Sequence, residues 1–372
     1  NEGTVVEGDY SFENDTSLLG HWNFNEESEG TWSNMLVDTS QSGQYSSIGL
    51  GNNGIHVSHT DSDSWDLLYS KSDDGTSWTT STIDSTGDLG TYTSIAVVKQ
   101  EQLGNNDEVH ISYTDSTNLD LKYAYFDGSS WTTSTIDSTG DVGKYTSIAV
   151  DSNEEIHISY LDDTSGGFLK YAHFDGLSWS TSTIDPWCGY LSSIAVDSND
   201  EIHIACFAAD NRTLKYFHFD GSSWTSTTID GTWDVGRWTS IAVDSNDEIH
   251  VSYEDQANHS LKYAHFDGSS WSTLTIDPGG DVGTESSITI DSNDEIHISY
   301  KDQANGDLKY AHFNGDSWTI TTLDSDNAGG YTSIAVDSMN QLHISYQASK
   351  DSTTPYAELH YAVLDKSESD GE

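Results

Sequence analysis

Hydrophobic and polar residues alternate along the chain in short runs, and the runs recur in a fixed order. From Trp238, "WTSIAVD" is followed by the turn-forming "SNDE", then by "IHVSYED", "LKYAHFDG" and "SWSTLTID". Each run places apolar residues at every second position, the period of a β-strand, and Asp, Asn, Gly and Ser punctuate the joins. In the second run Ile249, Val251 and Tyr253 share one face while His250 and Ser252 take the other, as in a strand packed between two layers. No sustained helical periodicity is present.

Aligning the Ile of the first run gives Ile48, Ile95, Ile148, Ile194, Ile241, Ile288 and Ile334, with steps of 47, 53, 46, 47, 47 and 46. Four short strands per copy make a propeller blade, so the sequence predicts an all-β, seven-bladed β-propeller with four antiparallel strands per blade. The last copy ends in "LHYAVLD" at Asp365 without its Trp-bearing fourth strand, and Thr31 to Asp38, "TWSNMLVD", matches the missing piece. The N-terminus is therefore expected to complete the last blade and remove the edges of an open ring. Trp32, Trp78, Trp131, Trp179, Trp224, Trp271 and Trp318 then mark the seven fourth strands. "LLGHWNF", Leu18 to Phe24, resembles a surplus third strand, for which an extra outer position is one place. The expected plan is an extension or linker over 1–17, one propeller over 18–365 and an acidic tail over 366–372.

Composition narrows the partners. The 372 residues could make two average domains, but propellers often exceed that length as one unit. Against 62 acidic residues stand 13 basic ones, a formal net charge of -49, which repels nucleic acid and anionic membrane surfaces. The acid is dispersed rather than gathered in a tail, as suits a protein kept soluble in high salt or seawater. No apolar run is long enough to span a bilayer, so no membrane insertion is expected. Asn1 to Asp9 lack the features of a signal peptide, which suggests a mature or excised form. Sequons at Asn14, Asn211 and Asn258 favour export, to an extracellular or cell-surface location.

The turns "SDDGTSW" from Ser72 to Trp78 and "FDGSSW" around Asp127, Asp220 and Asp267 resemble the Asp boxes of extracellular sialidase-like propellers. The box is shortened in most copies, and the resemblance covers architecture across about residues 31 to 365. It implies that a sialidase would clamp its substrate carboxylate with three arginines, whereas Arg212 and Arg237 are the only two here. A sialidase is therefore not expected. A polysaccharide lyase, which abstracts a proton with Tyr or His beside a cation, would have Tyr190, His59 and Arg237 to use.

One His stands in each second strand: His56, His110, His157, His203, His250, His297 and His343. Blade symmetry spreads them around a wheel, so they are read as buried structural groups, with Ser240 as the expected partner of His250, and no metal site is assigned. The hairpin "DSNDE" at Asp197, Asp244 and Asp291, with variants at Asp151 and Asp337, carries oxygens that calcium could use, although no cofactor is required. Function is expected on the face of the loops joining second to third strands and fourth to next first strands. There "DPWCGY" at Asp185 and "DGTWDVGRW" at Asp230 break the pattern of blades two and three. Arg212 and Arg237 should share this face with Trp187, Tyr190, Trp233 and Trp238, a set suited to an acidic sugar. Cys188 and Cys206 flank the same region and are a candidate disulfide. These features favour a binding or adhesion module for a glycan or cell-surface ligand, with catalytic residues unassigned. A lyase or other carbohydrate-active enzyme, and a structural or protein-interaction propeller, are the alternatives.

Overall fold

Strands with Ile, Val and Tyr on one face and His and Ser on the other have two faces to cover, and radial stacking of small sheets covers both. The computed structural model describes residues 30–38, 42–99, 107–164, 166–325, 327–349 and 357–365. The Asn14 sequon, Leu18 to Phe24 and both expected terminal extensions lie outside them. Among the described residues, 28 strands run from β1 (Thr31–Asp38) to β28 (Ala357–Asp365), in seven four-stranded sheets and without a helix. Blade one spans 44–84, two 89–137, three 142–185, four 190–230, five 235–277 and six 282–324.

Blade seven joins the two ends of the chain. Its order is β1, β28, β27 (Leu342–Ser349) and β26 (Gly330–Val336), and β1 pairs antiparallel with β28 from Thr31 opposite Asp365. Seven equivalent hydrogen bonds tie the innermost strands into a wheel, each from an Ile N–H to the Ser Oγ of the preceding blade at 3.2 Å. Ile48 to Ser333 is the bond that closes it.

A second set of contacts uses the recurring histidines. Each His Nδ1 lies 2.6 to 2.7 Å from the hydroxyl of a third-strand Tyr in its own blade, as His250 does from Tyr263. The expected partner Ser240 is engaged elsewhere: its Oγ accepts the N–H of Ile288. Strand alternation explains the correction, because Tyr263 stands two residues from His265, the residue directly opposite His250, and so on the same face. The same Tyr263 receives the edge of Trp318 from the next blade, with ring centroids 5.3 Å apart.

A third contact joins neighbouring blades on the loop face. Asp137, at the end of one fourth strand, accepts the Tyr160 hydroxyl at 2.8 Å and pairs with Lys170, both in the following blade. Asp84, Asp230 and Asp277 repeat the arrangement with a Tyr and a Lys each.

Candidate functional site

Blade four departs from the repeat at two consecutive positions, and a third that varies from blade to blade follows them. Where blade five has Ser252, Tyr253 and Glu254 in β19 (Ile249–Asp255), blade four has Ala205, Cys206 and Phe207 in β15 (Ile202–Ala208). Ala205 cannot offer a hydroxyl to Thr239, whose Oγ1 donates instead to Gly236 O at 2.8 Å. Cys206 occupies the place of the tyrosine that in five other blades binds the preceding aspartate. It forms a disulfide with Cys188, Cα to Cα 5.7 Å, while Asp185 meets Lys215 at 3.5 Å.

The loop that carries Cys188 is also short, with two residues fewer between Asp185 and Leu191 than between the equivalent Asp137 and Tyr145. The shorter loop accompanies a cavity of about 330 Å³ on the loop face, lined by Tyr145, Tyr190, Leu191, Phe207, Ala209, Arg212 and Arg237. Arg212 lies in the turn between the second and third strands of blade four, its N–H bonded to Ala208 O. Arg237 lies in β18 (Val235–Val243), just after Gly236. Gly236 has φ +94°, and a Cβ there would come within 2.8 Å of Leu214 Cα, so only glycine lets this segment press on blade four.

Asp234 lies between the two guanidinium groups. It is 4% exposed, pairs through Oδ2 with Arg212 and accepts Arg237 Nε on Oδ1 at 3.3 Å. The Arg212 guanidinium sits 4.8 Å from the Trp233 ring, and that of Arg237 5.2 Å from the Phe207 ring. About a third of each arginine side chain remains exposed. One buried carboxylate thus orients two cations and leaves outward N–H groups for a ligand. On the blade-three side the Tyr190 hydroxyl donates to Asp163 at 3.1 Å, and Lys144 pairs with Asp141 and Asp163.

The six residues singled out from sequence divide. Tyr190, Arg212 and Arg237 line the cavity, and Trp233, 64% exposed, stacks on Arg212. Trp187 is exposed beside Gly166 and is not among the lining residues. Trp238 turns into the central channel at φ +49°, in a ring with Tyr45, Tyr92, Tyr145, Leu191, Glu285 and Tyr331, all near φ +50° at a register shift of the first strand. That channel cavity, about 170 Å³, shares Tyr145 and Leu191 with the arginine cavity. His59 is fully buried in blade one, bonded to Ser70 Oγ, and lines neither.

Sequence reasoning missed Tyr145, Phe207, Asp234 and Glu254. Glu254 stands opposite Arg237 in the strand register, is 1% exposed, and its carboxyl makes no hydrogen bond. Burial pushes its carboxyl up to about 7, with Arg237 opposing that rise. The signal that could have found Phe207 and Glu254 was their place after the second-strand Tyr position, which varies from copy to copy beside otherwise repeated residues. In the "DSNDE" hairpins Asp244 Oδ1 accepts the N–H groups of Asn246 and Glu248, and Asp294 accepts Ser245 of the preceding blade.

No protein-family model matches the sequence, and no curated protein matches it either. Among solved structures, the chain is similar to an ulvan lyase, a polysaccharide lyase bound to a unit of glucuronic acid and 3-sulfated rhamnose. That match has 12% identity and a TM-score of 0.58, and covers 89% of this chain and 93% of that one. It is also similar to the fucose-specific lectin of Aleuria aurantia, at 18% identity and TM-score 0.52 over 76% and 96% of the two chains. A third similar structure is a mutant of AofleA from Arthrobotrys oligospora, at 14% identity and TM-score 0.54 over 79% and 90%. At these identities the likeness is one of fold, a propeller shared with proteins that act on or bind carbohydrate.

Proposed function

We propose that this propeller is an extracellular or cell-surface binding module for an acidic carbohydrate, held at the cavity between blades three and five. One observation carries the reading: the only two arginines of a chain with net charge -49 converge on Asp234 at the mouth of one cavity. A guanidinium forks onto a carboxylate or sulfate, and the faces of Tyr145, Tyr190 and Phe207 suit the C–H surface of a sugar ring. The ulvan lyase and the fucose-specific lectin support the ligand class by analogy of fold.

Binding is favoured over eliminative cleavage because the lining residues that could serve as a base, Tyr145 and Tyr190, are phenols that burial pushes up. Tyr190 donates to Asp163, and burial pushes its phenol up, away from the phenolate a lyase would need. His59, the other candidate base, is in blade one. The test is a glycan array of uronate-bearing and sulfated polysaccharides, probed with the wild type and with a Trp233→Ala, Arg237→Ala double variant. Binding by the wild type that weakens by at least about tenfold in the variant is expected. Unchanged binding removes the site, and a rise in ultraviolet absorbance on incubation with a uronate polymer would replace binding by lyase activity.

A further inference from the structure

The opposite face, formed by the hairpins between first and second strands, carries a side-chain cluster that the carbohydrate site does not use. In blade five His250 of β19 and His265 of β20 (Ser260–Phe266) stand opposite each other, their rings stacked with centroids 4.7 Å apart. His265 Nε2 lies 2.6 Å from Glu248 Oε2, and His250 Nε2 lies 3.4 Å from Asp244 Oδ2. Blade six repeats this with Asp291, Glu295, His297 and His312. In both blades the Glu and the two His place their donor atoms within 4.8 Å of one another. Blades three and four hold the same residue types, with His–His centroids 4.9 and 5.0 Å apart.

The fold does not demand this set. Every blade has the second-strand histidine and its tyrosine, but the residue opposite is Lys71 in blade one, Tyr125 in blade two and Val363 in blade seven. A paired second histidine and glutamate therefore add something that three blades dispense with. His250 is 5% exposed, yet its Nε2 makes no hydrogen bond and is aimed at the cluster. The distance to Asp244 exceeds the roughly 2.7 to 3.2 Å of an N–H···O bond. Its Nδ1 faces the Tyr263 hydroxyl at 2.6 Å, so an N–H donated there leaves the Nε2 lone pair directed at the carboxylates.

We propose that blades five and six each bind a divalent transition-metal ion on this face, through the glutamate and the two histidines, beside the hairpin aspartate. In blade five these are Glu248, His250 and His265, with Asp244 beside His250. Two imidazole nitrogens with carboxylate oxygens suit Zn2+, Ni2+ or Cu2+, whereas Ca2+ and Mg2+ prefer all-oxygen shells. Entry is open, because His265 and Glu248 keep about 28% and 33% of their side-chain surface exposed above the buried His250. The acidic surface raises the local concentration of any cation.

The test uses the full chain, stripped with a chelator and titrated with Co2+ in excess Mg2+, which occupies oxygen-only sites. Ligand-field absorption saturating at two equivalents per chain, one each for blades five and six, is expected, with Zn2+ displacing the Co2+. His265→Tyr copies the arrangement of blade two, where the Tyr125 hydroxyl bonds Glu108, so the fold has a precedent for it. That variant should lose one equivalent, and His265→Tyr with His312→Tyr should lose two. Absence of ligand-field bands, or a stoichiometry that His265→Tyr leaves unchanged in a folded chain, overturns the proposal.

Discussion

Trp32 meets Tyr310 edge to face, ring centroids 5.1 Å apart at 65°, although one belongs to the first described strand and the other to blade six. The six remaining fourth-strand tryptophans make the same contact with the preceding blade, including Trp78 on Tyr361 across the junction of the two chain ends. The strand at the start of the chain therefore supplies the aromatic clasp that the last blade lacks.

Removing that clasp should loosen the ring at its closure. Trp32→Ala is expected to destabilise the chain by about 3 kcal/mol, the low end for loss of a packed aromatic, because Trp32 is only partly buried. Chemical denaturation followed by tryptophan fluorescence measures it. A variant as stable as the wild type would mean that β1 backbone pairing alone closes the wheel.

Acid should weaken the fold through the histidines of blades one and two. Burial holds His56 and His110 neutral and brings each down to about 4 from an ordinary 6.5. The folded value lies below the unfolded one, so this contribution is present above about pH 6.5 and is lost as pH falls toward about 4. Each contributes a slope of about 1.4 kcal/mol per pH unit inside that window. Replacing His110 by Gln should flatten stability against pH by that amount, and an unaltered slope would exclude it.

The proposed carbohydrate site should respond to pH through Glu254. Below about 7 its buried carboxyl is protonated, and Arg212, Arg237 and Asp234 sum to one positive charge. Above that value the fourth group ionises and the sum is zero, so an anionic ligand should bind up to about tenfold more weakly, equivalent to about 1.4 kcal/mol. Glu254→Gln should bind independently of pH through this range, as measured by calorimetry on a uronate oligosaccharide. The same raised value, above an unfolded 4.5, means stability that is present at low pH and lost as pH rises through about 7. Glu254→Gln should accordingly stabilise the chain at alkaline pH, and a destabilised variant there would contradict the assignment.

Reduction should affect stability and binding together. Cys188 and Cys206 are 18 residues apart and replace the Tyr-to-Asp contact of other blades, so opening the bond should cost about 3 kcal/mol. It should also release the loop that presents Tyr190, lowering glycan affinity. Thermal melts and binding isotherms with and without reductant give both numbers, and equal melting temperatures would count against this role for the disulfide.

Much of the architecture was legible because the repeat exposes it. Seven copies of one alternating pattern, with Trp32 displaced to the front of the chain, leave a closed seven-bladed ring as the natural arrangement, and β1 lies against β28 accordingly. The His250 partner was not legible, since Ser240 and Tyr263 are both hydroxyl residues at recurring positions and only strand pairing puts one of them beside the ring. Trp238 was placed with the arginines by its neighbourhood in sequence. Its backbone at φ +49° turns it into the channel instead, and no residue type announces such a bend.

The sequence by itself determined the blade count, the order of the strands, the closure from the N-terminus and the two blades where the pattern fails. Periodicity carries that information, because each blade must bury the same two faces. Only the tertiary structure decided that Arg212 and Arg237 share Asp234, that Phe207 and Tyr145 complete their cavity, and that a glutamate and two histidines gather on the far face of blades five and six. Those groupings depend on how adjacent blades are rotated against each other, a relation between residues far apart in the chain that no local pattern records.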